Sequence, residues 1–219
     1  MRSRAPGFAA SVLAISLAAC VPWTVRPIGD EKGTVSGTTV VSPAEYVDSI
    51  WSAKLVPAIV NGAVDARTLL DALAASPGDA AQRFGHHGDN GPVYFLVKGR
   101  GIVTAVDTHS RMGLALLDVA PFDGHADLSI QIGPVLRGTA LRDATGIVRF
   151  TDFVNQLQFA DVGNELNSRV MKLVLAPLDT SKLKGRTLAF TGALAAPESG
   201  GEPPLRELVP VQLTLEENR

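Results

Sequence analysis

Between residues 92 and 215 the chain consists of short apolar, β-branched runs, broken once by a stretch of helical period, and this order constrains the fold more than any other feature. Residues 92–98, 101–107, 113–119 and 128–136 read as successive strands separated by glycines and acidic turns, and residues 147–150 add another. Phe159, Val162, Leu166, Val170 and Leu173 then recur at helical spacing. Asp161, Glu165, Asn167, Ser168 and Lys172 lie opposite them, so this is an amphipathic helix covering something apolar. Residues 186–194 and 208–215 finish as two strands around a Pro/Gly-rich loop at 197–204, with Val209, Val211, Leu213 and Leu215 alternating onto one face. Strands, a helix, then two strands is the order of an OB-like, five-stranded antiparallel barrel, partly closed, with its helix at one end. The competing arrangement is an open antiparallel sheet with helices stacked on one face. Both belong to the α+β class, mainly β.

The segment before the strands is helical. Ser42-Pro43-Ala44-Glu45 combines a capping serine, a proline at the first helical position and a glutamate three residues on, the pattern of a capping box. Tyr46, Ile50, Trp51 and Leu55 follow on one face until Pro57 disturbs the ladder. Asp65 is placed to cap a second helix carrying Leu69, Leu70 and Leu73, and Ser76 a third that stops at Gly85. The expected division is one globular domain over residues 42–219, with a helical layer at 42–91 and the OB-like region at 92–219. A Pro/Gly/Thr-rich tether at 21–41 precedes it.

Residues 1–20 have the parts of an export signal: Arg2 and Arg4, an apolar stretch from residue 8 to 17, and small residues before a cut. That stretch is shorter than the roughly 20 residues a membrane-spanning helix needs. It ends in Leu17-Ala18-Ala19-Cys20, which resembles the lipobox of bacterial lipoproteins, where the thiol takes a diacylglyceryl group before cleavage. Cys20 is the single cysteine of the 219 residues, so the resemblance makes it the lipidated first residue of the mature chain, and no disulfide can form within the chain. Two or more acyl chains hold a protein firmly where one does not, so the implied partner is a membrane reached through a lipid anchor. The implied location is the cell envelope, facing the periplasm; Val21 does not decide between inner and outer membrane. Cleavage also removes two of the 20 basic residues, leaving 18 against 22 acidic ones and a net charge of −4. With few aromatic residues besides, such a surface does not suit nucleic acid.

The densest polar cluster runs from Ile130 to Asp143 and contains Gln131, Arg137 and Arg142; Asn155 and Gln156, then Asn164 and Asn167, follow it. The run resembles a family of predicted periplasmic lipoproteins known as domain of unknown function 2291. The likeness takes in the tryptophan-bearing helix, residues 94–101 and the asparagine-bearing helix. It implies an envelope location, an OB-like fold and an accessory role in solute uptake beside sugar ABC transporters, with a sugar-binding protein or ABC permease as partner. It brings no established active site. From their chemistry, Arg137 and Arg142 offer donor forks for carboxylates or phosphates, and Asn155, Gln156, Asn164 and Asn167 offer amides for the hydroxyls of a small polar ligand. The alternative is structural: Arg142 and Asp143 fasten the turn region to the helix while the amides cap backbone groups.

His86-His87-Gly88-Asp89 is the other candidate, as a metal or acid–base site. Flanked by Gly85 and Gly91-Pro92, it reads as an exposed turn, and His109 and His125 lie too far along the chain for spacing to recruit them. Ser110 beside His109 has no glycine elbow, and Gly99-Arg100-Gly101 lacks the remainder of a nucleotide fingerprint. Two function classes follow. One is a non-catalytic envelope binding or accessory protein needing no cofactor or metal. The other is a metal-assisted hydrolase using His86, His87 and Asp89.

Overall fold

The computed structural model describes residues 41–87, 92–196 and 205–216; the signal segment with Cys20, the tether up to residue 40, Asp89 and the loop at 197–204 lie outside the described residues. The helical part begins as the sequence predicts. In α1 (Pro43–Ile50) the Glu45 N–H donates to the Ser42 hydroxyl at 3.3 Å and the Ser42 N–H donates to the Glu45 carboxylate at 3.1 Å. Pro57 does not end the helix. Residues Trp51–Leu55 widen into a π turn, in which the Val56 N–H reaches the Trp51 carbonyl, and α2 (Val56–Gly62) takes Pro57 in its first turn. The proline's missing donor is thus absorbed by a change of ladder rather than by a break. A two-residue strand, β1 (Val64–Asp65), leads into α3 (Ala66–Ala75), whose first turn donates from Thr68 N–H to Asp65. Helix α4 (Pro77–Phe84) is capped in the same way by Ser76 and runs into β2 (Gly85–His87).

Four of the strand expectations change. Residues 93–107 form one strand, β3 (Val93–Asp107), instead of two. Gly99 and Gly101 do not turn the chain; they admit neighbours. A Cβ at Gly99 would lie 2.9 Å from the Ala66 Cβ and 3.1 Å from the Phe190 ring, and one at Gly101 would lie 3.0 Å from the Asp118 carbonyl. After β4 (Leu114–Val119), strand β5 (Leu128–Gln131) stops well short of residue 136. The chain leaves the sheet where Gly133 meets the turn before β4: a Cβ at Gly133 would fall 1.9 Å from the Met112 carbonyl oxygen. Residues 147–150 form no strand; Phe150–Asp152 is a single 3-10 turn closed by Asp152 N–H on the Arg149 carbonyl. No edge was left for them, because the free side of β5 is taken by the last strand.

The chain then forms α5 (Ala140–Asp143), α6 (Gln156–Val170), β6 (Thr187–Ala195) and β7 (Arg206–Leu215). Strand β3 pairs with β4 and β6, β4 with β5, β6 with β7, and β5 with β7, so five strands pair in a ring, to which β1 and β2 are added along β3. The fold is α+β, mainly β, and OB-like. The ring is not wholly antiparallel, because five strands cannot alternate direction all the way round. The exception is β5 with β7, a parallel seam of three residue pairs from Leu128↔Arg206 to Ile130↔Leu208. So short a seam leaves the ring partly closed.

A continuous apolar core joins the layers. It takes Leu55, Ile59 and Leu69 from the helices, Phe95, Leu117, Ile130 and Leu188 from the ring, and Val162, Leu166 and Val170 from α6. Helix α6 lies against α1 and α5, and its extension reaches β7. The register of that extension differs from the sequence expectation. Met171–Leu175 is a second π turn, so Leu173 faces outward at 54% exposure and Leu175 is buried in its place.

Candidate binding site

Three polar groupings carry chemistry, the first where α5 meets α6. Its centre is Asp143, whose two oxygens accept from the Arg142 Nε at 2.6 Å and Nη2 at 3.0 Å. The Tyr94 hydroxyl, from β3, donates to the same carboxylate at 3.1 Å and lies 3.0 Å from the Thr139 hydroxyl. The third arm of Arg142 donates to the Phe159 carbonyl at 3.3 Å while its guanidinium lies 3.8 Å from the centre of the Phe159 ring. Tyr94 is buried and Arg142 and Asp143 are largely so, while Thr139 and Phe159 are half-buried. Burial, and after it the Asp143 charge, pushes the Tyr94 phenol above its ordinary value. The arrangement pins the strand β3 to α5 and α5 to α6, with the Arg142 fork already engaged by a carboxylate.

The other residues of this grouping spread along the rim. The exposed Arg137 has its backbone clamped by the buried Gln131, which accepts from its N–H at 2.7 Å and donates to its carbonyl at 3.3 Å. Its guanidinium lies 3.5 Å from the Met112 sulfur. Asn167 donates to the Gly138 carbonyl at 3.2 Å, tying α6 to the loop before α5. Asn155 caps α6 by accepting from Gln158 N–H at 2.9 Å. Gln156 and Asn164 are exposed. The structure therefore brings Arg142, Asp143 and the Tyr94 hydroxyl together, and Asn167 beside the loop preceding them, while Asn155 and Gln156 sit at the start of α6.

The histidines do not lie in a turn. His86 and His87 belong to β2, paired with Tyr94 and Val93. Successive strand residues point to opposite faces, which sets the two imidazoles apart. Partial burial, then the neighbouring His87, lowers the His86 pKa. No group of three His, Cys, Asp or Glu side chains among the described residues is arranged to hold a metal ion; Asp89 lies outside them.

The remaining grouping was not singled out from sequence. An open cleft of about 590 Å³ lies along β3, β6 and β7, lined by Asp65, Arg67, Lys98, Arg100, Thr191, Gln212 and Thr214 together with the apolar Gly99, Ala189 and Phe190. Arg67 is held by Asp71 at 2.9 Å and by Asp127 at 3.4 Å, and Arg100 by Glu216 at 2.9 Å. Lys98 has no carboxylate partner among the described residues. The cleft thus offers one ammonium outside any ion pair, two neutralised guanidinium groups, the Asp65 carboxylate on the strand position paired with Lys98, and hydroxyl and amide groups beside Phe190. Its sequence signal was slight: Lys98 and Arg100 flank a glycine in a strand, and Gln212 and Thr214 alternate with apolar residues.

The family described as predicted periplasmic lipoprotein, DUF2291, matches residues 10–214. No curated protein matches the chain. Among solved structures, the chain is similar to an OB-fold protein from Thermotoga maritima MSB8, with a TM-score of 0.68 and 22% identity over 80% of this chain and 99% of that one. At that identity the likeness speaks to the fold alone, and it agrees with the ring order of the strands.

Proposed function

The chain belongs to the DUF2291 family of predicted periplasmic lipoproteins, and from that premise we propose that it is a non-catalytic binding module, anchored to the envelope membrane through lipidated Cys20, that serves a sugar uptake system. The observation that carries this reading is the cleft over β3, β6 and β7. A ligand site needs a concave surface with a few convergent polar groups, and this one supplies an ammonium outside any ion pair, two hydroxyls and an amide beside Phe190. Such a set suits a hydroxylated solute bearing a negative charge, such as a sugar acid. The Arg137–Asn167 rim supplies a second polar surface, on which a sugar-binding protein or permease is the proposed partner. Among the described residues no hydroxyl lining the cleft is hydrogen-bonded to a carboxylate or a histidine, and the two histidines of the hydrolase reading alternate along their strand.

The test is a thermal-shift screen of the full-length lipoprotein in detergent against neutral sugars, sugar acids and sugar phosphates. We expect stabilisation by an anionic sugar that Lys98→Ala reduces by about ten- to a hundredfold in apparent affinity, since a charge-assisted hydrogen bond contributes about 1.5–3 kcal/mol. Binding unaffected by Lys98→Ala, or metal-dependent turnover lost in His86→Ala, would refute this reading.

A further inference from the structure

Seven large apolar side chains are exposed among the described residues, and three of them, Phe150 at 44%, Val154 at 53% and Leu157 at 70%, fall within eight residues at the start of α6. They stand on a braced platform. Phe150 meets Phe159 edge-on at 5.6 Å, Phe159 leans on Phe153 at 5.8 Å, and Phe153 meets Tyr46 of α1 edge-on at 5.0 Å. The Arg142 guanidinium lies over the Phe159 ring at 3.8 Å from its centre. Phe150 is thus braced in its exposed position, and exposed apolar side chains gathered in so short a stretch mark a surface for contact. Arg149 and Asp152, the two charged residues between 149 and 157, pair with each other at 3.1 Å, so the stretch carries no net charge.

Its position bears on what covers it. Tyr46 lies one helical turn, about 6 Å of rise, from Ser42, where the segment leading from Cys20 joins the helices. Residues 21–41 span about 70 Å even if fully extended, so a lipid on Cys20 holds Ser42 and the start of α1 within that distance of the bilayer. Three protruding side chains are too few for a stable protein–protein interface, which buries about 800 Å² per partner. They suffice for a domain already tethered, because docking is then intramolecular. We propose that the Phe150–Val154–Leu157 ridge docks on the bilayer that holds the Cys20 anchor, entering the boundary between headgroups and acyl chains and fixing the orientation of the domain. This inference rests on the lipid-anchor reading.

The chain has no thiol besides Cys20, so Leu157→Cys introduces a unique labelling position in the lipidated full-length protein. An environment-sensitive fluorophore is attached there, or at Lys172→Cys, about 22 Å further along the same helical segment. The protein is then reconstituted into vesicles of phosphatidylethanolamine and phosphatidylglycerol carrying nitroxide-labelled lipid. The ridge predicts a blue-shifted probe at position 157 that is quenched at least threefold more than the probe at position 172. Equal quenching at both positions, or a water-like, unquenched probe at 157, overturns the docking. So does a blue-shifted probe at 157 that the lipid nitroxides do not reach, which assigns the ridge to a second copy or a partner protein. The mass of the Cys20 peptide and co-flotation with the vesicles separate the two failures: an unlipidated chain that does not float overturns the anchor, whereas a lipidated, floating chain with an unquenched probe overturns only the docking.

Discussion

At the scale of single residues, the most consequential contact is the carboxylate of Asp143 shared by Arg142 and Tyr94. Removing one member of a largely buried pair strands the other, whereas removing a neutral donor forfeits one hydrogen bond. Asp143→Ala is therefore expected to lower the stability by about 3 kcal/mol, and Tyr94→Phe, which removes a neutral hydroxyl, by about 1 kcal/mol; urea unfolding midpoints read both. Equal losses would mean that the pair is screened by solvent after all. The adjacency of Arg142 and Asp143 was legible in the sequence, but Tyr94, 49 positions away, had no local pattern to announce it. His86 makes a second, pH-dependent case. Burial holds its folded-state pKa below the ordinary 6.5, so the unfolded chain binds more protons, and stability present above 6.5 is lost as pH falls through the lower folded value. The melting temperature of the wild type is expected to drop more than that of His86→Gln between pH 7.5 and 5.

Elements show where periodicity stops being a guide. A strict 3.6-residue period carries the buried face of α6 from Val162 through Leu166 and Val170 to Leu173, and the first three are indeed inaccessible. The π turn at Met171–Leu175 inserts extra arc, which turns Leu173 out and Leu175 in. Nothing local in the sequence announces that widening, which falls where the segment meets β7. Leu175→Ala is accordingly expected to cost about 2–4 kcal/mol, the range for truncating a core leucine. Leu173→Ala should stay within about 0.5 kcal/mol. The reverse order of unfolding midpoints would restore the regular helix. The same lesson holds for Gly99-Arg100-Gly101 and for Gly133. Read alone, glycines mean turns; here those in β3 are pressed against Ala66, Phe190 and the Asp118 carbonyl, and Gly133 against Met112. By contrast, Ser42, Asp65 and Ser76 cap their helices as expected, because a cap is satisfied within four residues of chain.

For the whole molecule, strand order was legible and ring closure was not written in any one segment. Strands, a helix and then two strands suggested the OB-like order even though the sequence reading split β3 in two and added a strand at 147–150, and the parallel seam between β5 and β7 follows from the odd strand number once the ring forms. The cleft was illegible for the same reason that the ring exists: Arg67, Lys98, Thr191 and Gln212 converge only after residues from α3, β3, β6 and β7 are brought onto one wall. The helical layer shares that dependence. Leu55 and Ile59 are fully buried in the same core as Phe95 and Leu188, and Gly62 lets α2 approach the Leu96 side chain. Neither layer retains its apolar cover without the other, so residues 42–216 should unfold as a single cooperative unit. Trp51 sits in the layer, and Trp23→Phe leaves it the sole tryptophan of the chain. Its fluorescence then reports the helices, while far-ultraviolet dichroism at a β-dominated wavelength reports the ring. The two thermal transitions are expected to coincide, with calorimetric and van't Hoff enthalpies equal. A Trp51 transition several degrees below that of the ring would instead make the helices a separable layer, with a core that ends at β3.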